Sequence, residues 1–166
     1  MINQGVKARA IGINHVVLEV GSIDEALEFY SAILEFKLRG RVEGRAFIDL
    51  GDQFIQLSEN RTQEPDGQRH FGLVVDDCEA VRCALAEAGV KLLDKRLNFH
   101  DPWGNRIEIV SYDNIQFTKA DHVLSGMGLG DIEKTPDAIA ELAEKGMGPG
   151  AHLGPPEFTR PISKFR

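Results

Sequence analysis

Two histidines enter apolar, β-branched runs of this chain at the same point, 55 residues apart. His15 opens "HVVLEV" at 15–20, and His70 opens "HFGLVV" at 70–75. Imidazole nitrogens bind divalent metals and also exchange protons near neutral pH. A lone histidine at the start of a strand is more often a hydrogen-bonded structural residue. The repetition of the position is what marks both side chains as candidates for a site.

Strand parity adds two oxygen donors to the histidines. Side chains alternate between the two faces of a strand, so residues two apart share a face. In the runs 54–58 and 106–110, Gln56 and Glu108 fall on the faces opposite to the isoleucines. The apolar faces are expected to pack on helices, which leaves the four polar side chains on the other face. Two imidazoles, a carboxylate and an amide oxygen are suited to a divalent metal.

The elements that must position these residues form an internal repeat. Each histidine strand precedes an amphipathic helix, in "SIDEALEFYSAILEF" with Ser22 as its N-cap and in "DDCEAVRCALAEAGV" with Gly89 at its end. Three extended runs then follow: "KLRGRVE", "RAFIDLG" and "QFIQLSE" in the first half, and "KLLDK", "RLNFH" and "NRIEIVS" in the second. Both halves therefore read β-α-β-β-β, as modules at 11–60 and 68–112 of one domain at 11–112.

The pattern changes after the second module. The segment 113–166 is predicted to be a C-terminal extension with one short helix in "KTPDAIAELAEKGM". Thr135 is placed to cap this helix, Pro136 suits its first position, and Gly146 can end it. The Gly- and Pro-rich end of the chain is expected to be irregular.

Composition excludes several classes of partner. The chain has 166 residues, of which 42% are hydrophobic and 27% charged, and its net charge is −7, which argues against nucleic acid as a partner. No apolar run reaches the roughly 18–20 residues of a membrane helix. The N-terminal "MINQGVKARAIG" lacks the apolar core of a signal peptide. Cys78 and Cys83 are interpreted as two reduced thiols, so a cytoplasmic location is predicted.

Together these motifs resemble the vicinal oxygen chelate (VOC) superfamily, the group of glyoxalase I, bleomycin resistance proteins and extradiol dioxygenases. The resemblance covers residues 11–112, and its most specific part is "DPWGNRIEI" at 101–109. It implies an α+β fold in which two βαβββ modules form a curved, mostly antiparallel sheet around a metal. It puts the ligand positions on His15, His70 and Glu108, with Gln56 at the fourth. The ion would be Fe, Mn, Ni, Zn or Co, and a homodimer would share the site between its subunits.

The resemblance favours glyoxalase- or epimerase-type lyase or isomerase chemistry on a small molecule with neighbouring oxygens. The metal would stabilise an enolate, and a carboxylate would move the proton. Glu108 is the first candidate for this role, and Glu19, which shares the parity of His15, is the second. A glutamine at position 56 departs from the acidic residue common in bacterial glyoxalase I.

Two alternatives stay open at this stage. Two histidines and a glutamate also suit a single-domain extradiol Fe(II) dioxygenase, although Asn98 stands where that family has a tyrosine, and 91–97 contains no histidine. A drug- or metabolite-sequestering protein is the other alternative, and such proteins typically lack the metal residues.

Four further side chains are predicted to contact the substrate. Arg45 and Arg106 share the parity of the ligands and would bind an anionic group. Phe47 and Phe54 share it too and would line an apolar pocket. The fosfomycin-modifying transferases of this superfamily also use two histidines and a glutamate, but the sequence contains no obvious cluster for their phosphonate.

Overall fold

The computed structural model describes residues 10–149 and divides them between two units. The first unit contains the chain up to residue 65 together with 101–105. The second contains 66–100 and the chain from residue 106 onward. The predicted domain of two modules is thus seen as two units, with a five-residue loop of the second module assigned to the first unit.

The sheet of the first unit has the four strands that the sequence predicts. They are β1 (His15–Glu19), β2 (Lys37–Val42), β3 (Arg45–Leu50) and β4 (Gln53–Ser58), in the order β1-β4-β3-β2. The first and last strands are parallel neighbours, and the other pairs are antiparallel. Gly44 and Gly51 lie at the two hairpin turns with positive φ, a backbone region that favours glycine.

Helix α1 (Ile23–Ile33) contacts β4 of this sheet. The Ser22 hydroxyl accepts the backbone N–H of Glu25 at 3.4 Å, as expected for the predicted N-cap. The helix and the inner face of the sheet bury a shared apolar core, which comprises Leu18, Val20, Ile23, Ala26, Tyr30, Ile33, Ala46, Ile48, Ile55 and Leu57. The alternating pattern of these strands correctly predicted which face is buried.

The loop 101–105 adds a buried polar cluster to the first unit. Asp101, 3% exposed, accepts the Tyr30 hydroxyl at 2.8 Å and the Asn105 side-chain amide at 2.7 Å. Its other oxygen accepts the backbone N–H groups of Trp103 and Asn105. Burial, more than the nearby Asp101 carboxylate, raises the pKa of Tyr30 above its ordinary value of 10.0. The "DPWGN" motif is therefore a structural cluster in this unit.

The second unit repeats the arrangement with a smaller sheet. Its strands are β5 (Phe71–Val75), β6 (Asn98–His100) and β7 (Arg106–Ser111), in the order β5-β7-β6, with β5 and β7 parallel. Helix α2 (Cys78–Glu87) contacts β7, and the Asp77 carboxylate caps its first turn. Gly89 follows the helix with a positive φ, as predicted.

The predicted strand "KLLDK" is wrong. Among the described residues of this segment, Leu92 alone makes a bridge, to Phe99. The reason is a tight reversal at Asp94, whose carboxylate accepts the Arg96 N–H at 2.8 Å. The Leu93 N–H donates to the carbonyl of Asn98, so the chain turns before a strand can extend. The predicted strand "RLNFH" is accordingly shortened to Asn98–His100.

The C-terminal extension contains more helix than predicted. A 3₁₀ turn (Tyr112–Asn114) is followed by α3 (Asp121–Gly126) and α4 (Pro136–Glu144), so the prediction of a single helix is wrong. Helix α3 buries one leucine in six residues, too short a stretch to show a helical period. The Thr135 cap, Pro136 at the start and Gly146 at the end of α4 are as predicted.

The ammonium of Lys134 donates to the backbone carbonyls of Tyr112, Ile115 and Phe117, and so ties the start of α4 to the 3₁₀ turn. The predicted irregular end of the chain lies outside the described residues from position 150. Along residues 10–149, no helix is both long and apolar enough to cross a bilayer.

Candidate metal centre

The predicted ligands of the first unit lie on one face of its sheet. His15 is paired with Phe54 across β1 and β4, and two residues further along Val17 is paired with Gln56. Residues paired in this way have side chains on the same face. Leu18, on the opposite face, is buried, whereas His15 is exposed and Gln56 half-buried.

The second unit has the same register. Gly72 is paired with Glu108, and Glu108 with Asn98 on its other side. One residue before the pair Phe71–Ile107, the parallel register sets His70 beside Arg106. Each histidine is therefore followed, two residues along the neighbouring strand, by the oxygen donor predicted to act with it. The two pairs occupy equivalent places in their sheets.

His70 and Glu108 are in direct contact. The Nε2 atom of His70 lies 3.3 Å from Oε2 of Glu108. The Nδ1 atom of His70 lies 2.9 Å from the carbonyl oxygen of Gln68, and a carbonyl only accepts, so Nδ1 carries a proton. In the neutral imidazole, Nε2 then presents a lone pair to a carboxylate oxygen. Two lone pairs at this distance require a positive charge between or beside them, either a proton or a metal ion.

The spacing fits a divalent ion. For metal–ligand bonds of about 2.0–2.1 Å in a tetrahedral site, two ligand atoms are about 3.3 Å apart. Metal-bound histidines ordinarily donate their second ring N–H to a backbone carbonyl or a carboxylate, as His70 does to Gln68. The donor set, a neutral imidazole nitrogen and a carboxylate oxygen, therefore suits Zn²⁺, Mn²⁺ or Fe²⁺.

His15 is held in the same way by a different acceptor. Its Nδ1 lies 2.9 Å from the side-chain oxygen of Asn14, which leaves Nε2 as the nitrogen with the lone pair. The imidazole stacks on the Phe54 ring, with centroids 4.7 Å apart and planes 7° from parallel. The Arg39 guanidinium lies 4.9 Å from the centroid of the same phenyl ring. Phe54 thus orients the plane of the imidazole, and its predicted lining of an apolar pocket stays a prediction.

Glu19 is engaged elsewhere. One of its carboxylate oxygens accepts the Thr62 backbone N–H at 3.0 Å. This hydrogen bond, the largest cause, lowers the pKa of Glu19 from its ordinary value. A carboxylate with a lowered pKa is a weaker base, so the geometry does not favour Glu19 as the proton carrier.

The predicted substrate residues differ in how many contacts their side chains already make within the protein. Arg45 is exposed and is paired with Ser58, four residues along β4 from Phe54. Phe47 packs edge-on against Phe54, with ring centroids 5.9 Å apart. Arg106 donates through Nη1 to the Gly67 carbonyl at 2.7 Å and through Nη2 to the side chain of Asn98 at 3.4 Å. Its Nε is buried with no hydrogen-bond partner among the described residues.

Three neighbours of the site were missed by the sequence reasoning. Asn14 and Gln68 orient the two histidines, and each lies within two residues of its histidine, which is a local signal. Arg96 was not singled out, although its Nη1 lies 3.9 Å from Oε1 of Glu108. Its position depends on the reversal at Asp94, which the sequence pattern did not indicate.

The four predicted ligands are divided between the units. His15 and Gln56 belong to the first unit, and His70 and Glu108 to the second. Within residues 10–149, no group of three or more His, Cys, Asp or Glu side chains is close enough together to hold a metal.

Replacing Phe54 with leucine is expected to weaken binding of Mn²⁺ about tenfold, because the imidazole of His15 loses the surface that orients it. Isothermal titration with Mn²⁺ measures the change, and Phe54→Tyr, which keeps the ring, should restore wild-type affinity. Phe117→Leu, a ring in the other unit, serves as the matched control. Equal affinity of Phe54→Leu and the wild type would show that Phe54 does not position this ligand.

A sequence model of the Glyoxalase/Bleomycin resistance protein/Dioxygenase superfamily matches residues 12–109. The chain is 24% identical over 127 residues to the metallothiol transferase FosB of Bacillus licheniformis. The aligned region covers 66% of this chain and 82% of FosB.

Solved structures show the same fold at low sequence identity. A glyoxalase family protein from Bacillus anthracis gives a TM-score of 0.55 at 22% identity, and covers 64% of this chain and 98% of its own. A second similar structure is a mutant of the fosfomycin resistance protein FosX of Listeria monocytogenes, complexed with Mn(II) and 1S,2S-dihydroxypropylphosphonic acid. Its TM-score is 0.54 at 14% identity, and the match covers 61% of this chain and 90% of the FosX chain. These likenesses confirm the predicted fold class.

Proposed function

Because the chain belongs to the Glyoxalase/Bleomycin resistance protein/Dioxygenase superfamily, we propose that it is a divalent-metal-dependent enzyme. Its substrate is a small molecule with neighbouring oxygens. Its chemistry is of the glyoxalase or epimerase type, that is, a lyase or isomerase reaction at a carbon next to a carbonyl. His15, His70 and Glu108 hold the metal, and Gln56 is the fourth donor.

The contact between His70 and Glu108 is the observation that supports this proposal most. Their facing atoms are 3.3 Å apart, and the Gln68 carbonyl fixes the tautomer that leaves Nε2 free to bind a metal. The orientation of His15 by Asn14 supports the same tautomer in the other module. A metal bound there would supply Lewis-acid stabilisation of negative charge on a substrate oxygen.

The chain's own groups then have defined tasks. Glu108 is the first candidate to take a proton from the substrate: its Oε2 faces His70, and its Oε1, 3.9 Å from Arg96, would be the oxygen left to act as the base. Arg96 offsets its charge, and His70 keeps a fixed ring plane through its bond to Gln68. Glu19, held by Thr62, remains the second candidate for a proton carrier.

A second candidate function is nucleophilic addition to an anionic, oxygen-bearing substrate. The observation that favours it is the hydrogen bond from the Thr62 backbone N–H to Glu19, which occupies this carboxylate. Such a reaction needs no second carboxylate base. The relative FosB is named as a metallothiol transferase, and FosX was solved with Mn(II) and a phosphonic acid, both of which suit this chemistry. Arg96 and Arg106 are the residues that would face the anion.

We also propose a homodimer in which one subunit supplies His15 and the other supplies His70 and Glu108. This proposal rests on the superfamily resemblance. The cytoplasmic location stays a prediction from the sequence.

Turnover by the Mn²⁺-loaded protein tests the choice of chemistry. For the first function we expect solvent deuterium to enter 2-oxo and 2-hydroxy compounds at the carbon next to the carbonyl, measured by proton NMR. The His70→Ala variant is the control and should be inactive. Thiol consumption with fosfomycin and no deuterium incorporation would instead establish the second function.

Two other outcomes would contradict both functions. Oxygen uptake that depends on a catechol would assign an extradiol dioxygenase. Tight binding of a compound that is returned unchanged would assign a sequestering protein.

A further inference from the structure

Gly72 is an unusual residue on the site face of the second sheet. Two neighbouring rows of this face are formed by Arg106 and His100, with His70 one residue before β5, and by Gly72, Glu108 and Asn98. Five of these six positions carry a large polar side chain. Gly72 lies directly beside Glu108 in the parallel register, so the space above it adjoins the carboxylate.

Neither the backbone nor the packing of the second unit requires a glycine at this position. Gly72 is absent from the residues with positive φ, so any side chain suits its backbone. A Cβ atom built on it would meet only Val110 Cγ2 within 4 Å, at 3.9 Å, which is an ordinary contact. Glycine inside a strand weakens the strand and often marks a place where a ligand approaches closely.

The first module supplies an internal comparison. Val17 is paired with Gln56 in the same parallel register in which Gly72 is paired with Glu108. A β-branched residue therefore fits this position of the module fold. The second module has a glycine there instead, and the result is an open recess beside the proposed metal ligand.

Two guanidinium groups contact the side chains that share the row of Gly72, Arg96 at Glu108 and Arg106 at Asn98. The guanidinium of Arg96 is 64% exposed and lies 3.9 Å from Glu108. The guanidinium of Arg106 donates to two neutral oxygens, those of Gly67 and Asn98, which do not offset its charge. Asp66, which accepts the backbone N–H of Arg106, is itself paired with Arg69. A negatively charged group in the recess would be attracted by both arginines.

We propose that the recess over Gly72 receives the oxyanion end of the substrate, a carboxylate or a phosphate-like group, and that Arg96 binds it. Gly72 sets the size of the group that enters, and Arg96 selects its charge. This inference rests on the proposed function, because the recess adjoins the proposed metal ligand Glu108.

Binding of inorganic phosphate to the Mn²⁺-loaded protein tests the inference, with phosphorus NMR relaxation as the measurement. Gly72→Val should weaken phosphate binding tenfold or more, Gly72→Ala should be intermediate, and Arg96→Gln should weaken it about tenfold. Arg82→Gln, an exposed arginine on α2 paired with Glu79, is the matched control and should bind phosphate normally. Gly72→Val, Gly72→Ala and Arg82→Gln should bind Mn²⁺ like the wild type, and Gly72→Val should unfold at the same or a higher temperature.

The possible failures can be told apart. Wild-type phosphate affinity in both Gly72→Val and Arg96→Gln would overturn the recess while leaving the metal site intact. Loss of Mn²⁺ from Gly72→Val would overturn the assignment of Gly72 to the substrate. Failure of the wild type itself to bind Mn²⁺ would overturn the proposed function.

Discussion

The His70→Ala variant is expected to lose stoichiometric divalent metal, with an affinity for Mn²⁺ at least about 100-fold below that of the wild type. The variant leaves the Glu108 carboxylate without the nitrogen that faces it at 3.3 Å. The remaining proposed donors, His15, Gln56 and Glu108, include only one imidazole, so they cannot replace the missing one. Metal analysis after dialysis, together with titration by Mn²⁺, measures the loss, and His15→Ala should behave alike.

His122→Ala is the matched control for these variants, because His122 is an exposed histidine on α3. It should keep full metal content. Retention of one equivalent of metal by His70→Ala or by His15→Ala would refute the proposed ligand set.

Mixing the two inactive variants tests whether subunits share the site. In a mixed dimer of His15→Ala and His70→Ala, a shared arrangement gives one site with both intact histidines and one with neither. Unfolding and refolding the mixture should therefore restore about a quarter of wild-type metal content, because half of the dimers are mixed and each has one intact site. Absence of any recovery would show that both histidines of a site come from the same chain.

The largest loss of stability is expected for Asp101→Ala. Its carboxylate accepts four hydrogen bonds and is 3% exposed. The variant leaves the Tyr30 hydroxyl and three N–H donors around Asp101 without their acceptor. Because unsatisfied buried donors are costly, the free energy of unfolding should fall by about 3–5 kcal/mol. Urea unfolding followed by circular dichroism measures the change.

Tyr30→Phe removes one of the four bonds and should cost about 1–2 kcal/mol, so it calibrates the larger effect. The variant should also change how the free energy of unfolding depends on pH. The pKa of Tyr30 is raised in the folded state, so its neutral form stabilises the fold below about pH 10, and this contribution is lost as the pH rises above that value. Tyr30→Phe should flatten this alkaline decline. An Asp101→Ala variant as stable as the wild type would refute the structural role of the cluster.

The strands of the first module and the caps of three helices were predictable because their signals are local. The period of two in "HVVLEV" and "FIQLS" separates buried from exposed faces, and it placed His15 and Gln56 on one face without any tertiary information. Ser22, Gly89 and Thr135 were recognised because capping depends on residues within one turn. The same local logic failed at 90–97, where a single hydrogen bond at Asp94 reverses the chain.

The roles of individual side chains at the site depend on contacts between distant segments. Glu19 looked available by parity, yet its partner Thr62 is 43 residues away and lies in a loop without a motif. Phe54 was predicted to line a pocket because it shares the site-facing parity, but parity alone did not indicate that its ring stacks on His15 across two parallel strands. Arg96 approaches Glu108 only because the preceding turn is tight. None of these contacts leaves a periodic trace in the sequence.

The loop 101–105 has consequences for folding during synthesis and for the exchange of modules between related proteins. The buried hydroxyl of Tyr30 meets its acceptor only when residue 101 has been synthesised, 71 positions later. A nascent chain that ends after the first module therefore lacks part of that module's own interior. Gene segments that exchange the first module between relatives must carry five residues from near the end of the second as well. The two modules are thus joined by this loop into one unit of sequence exchange.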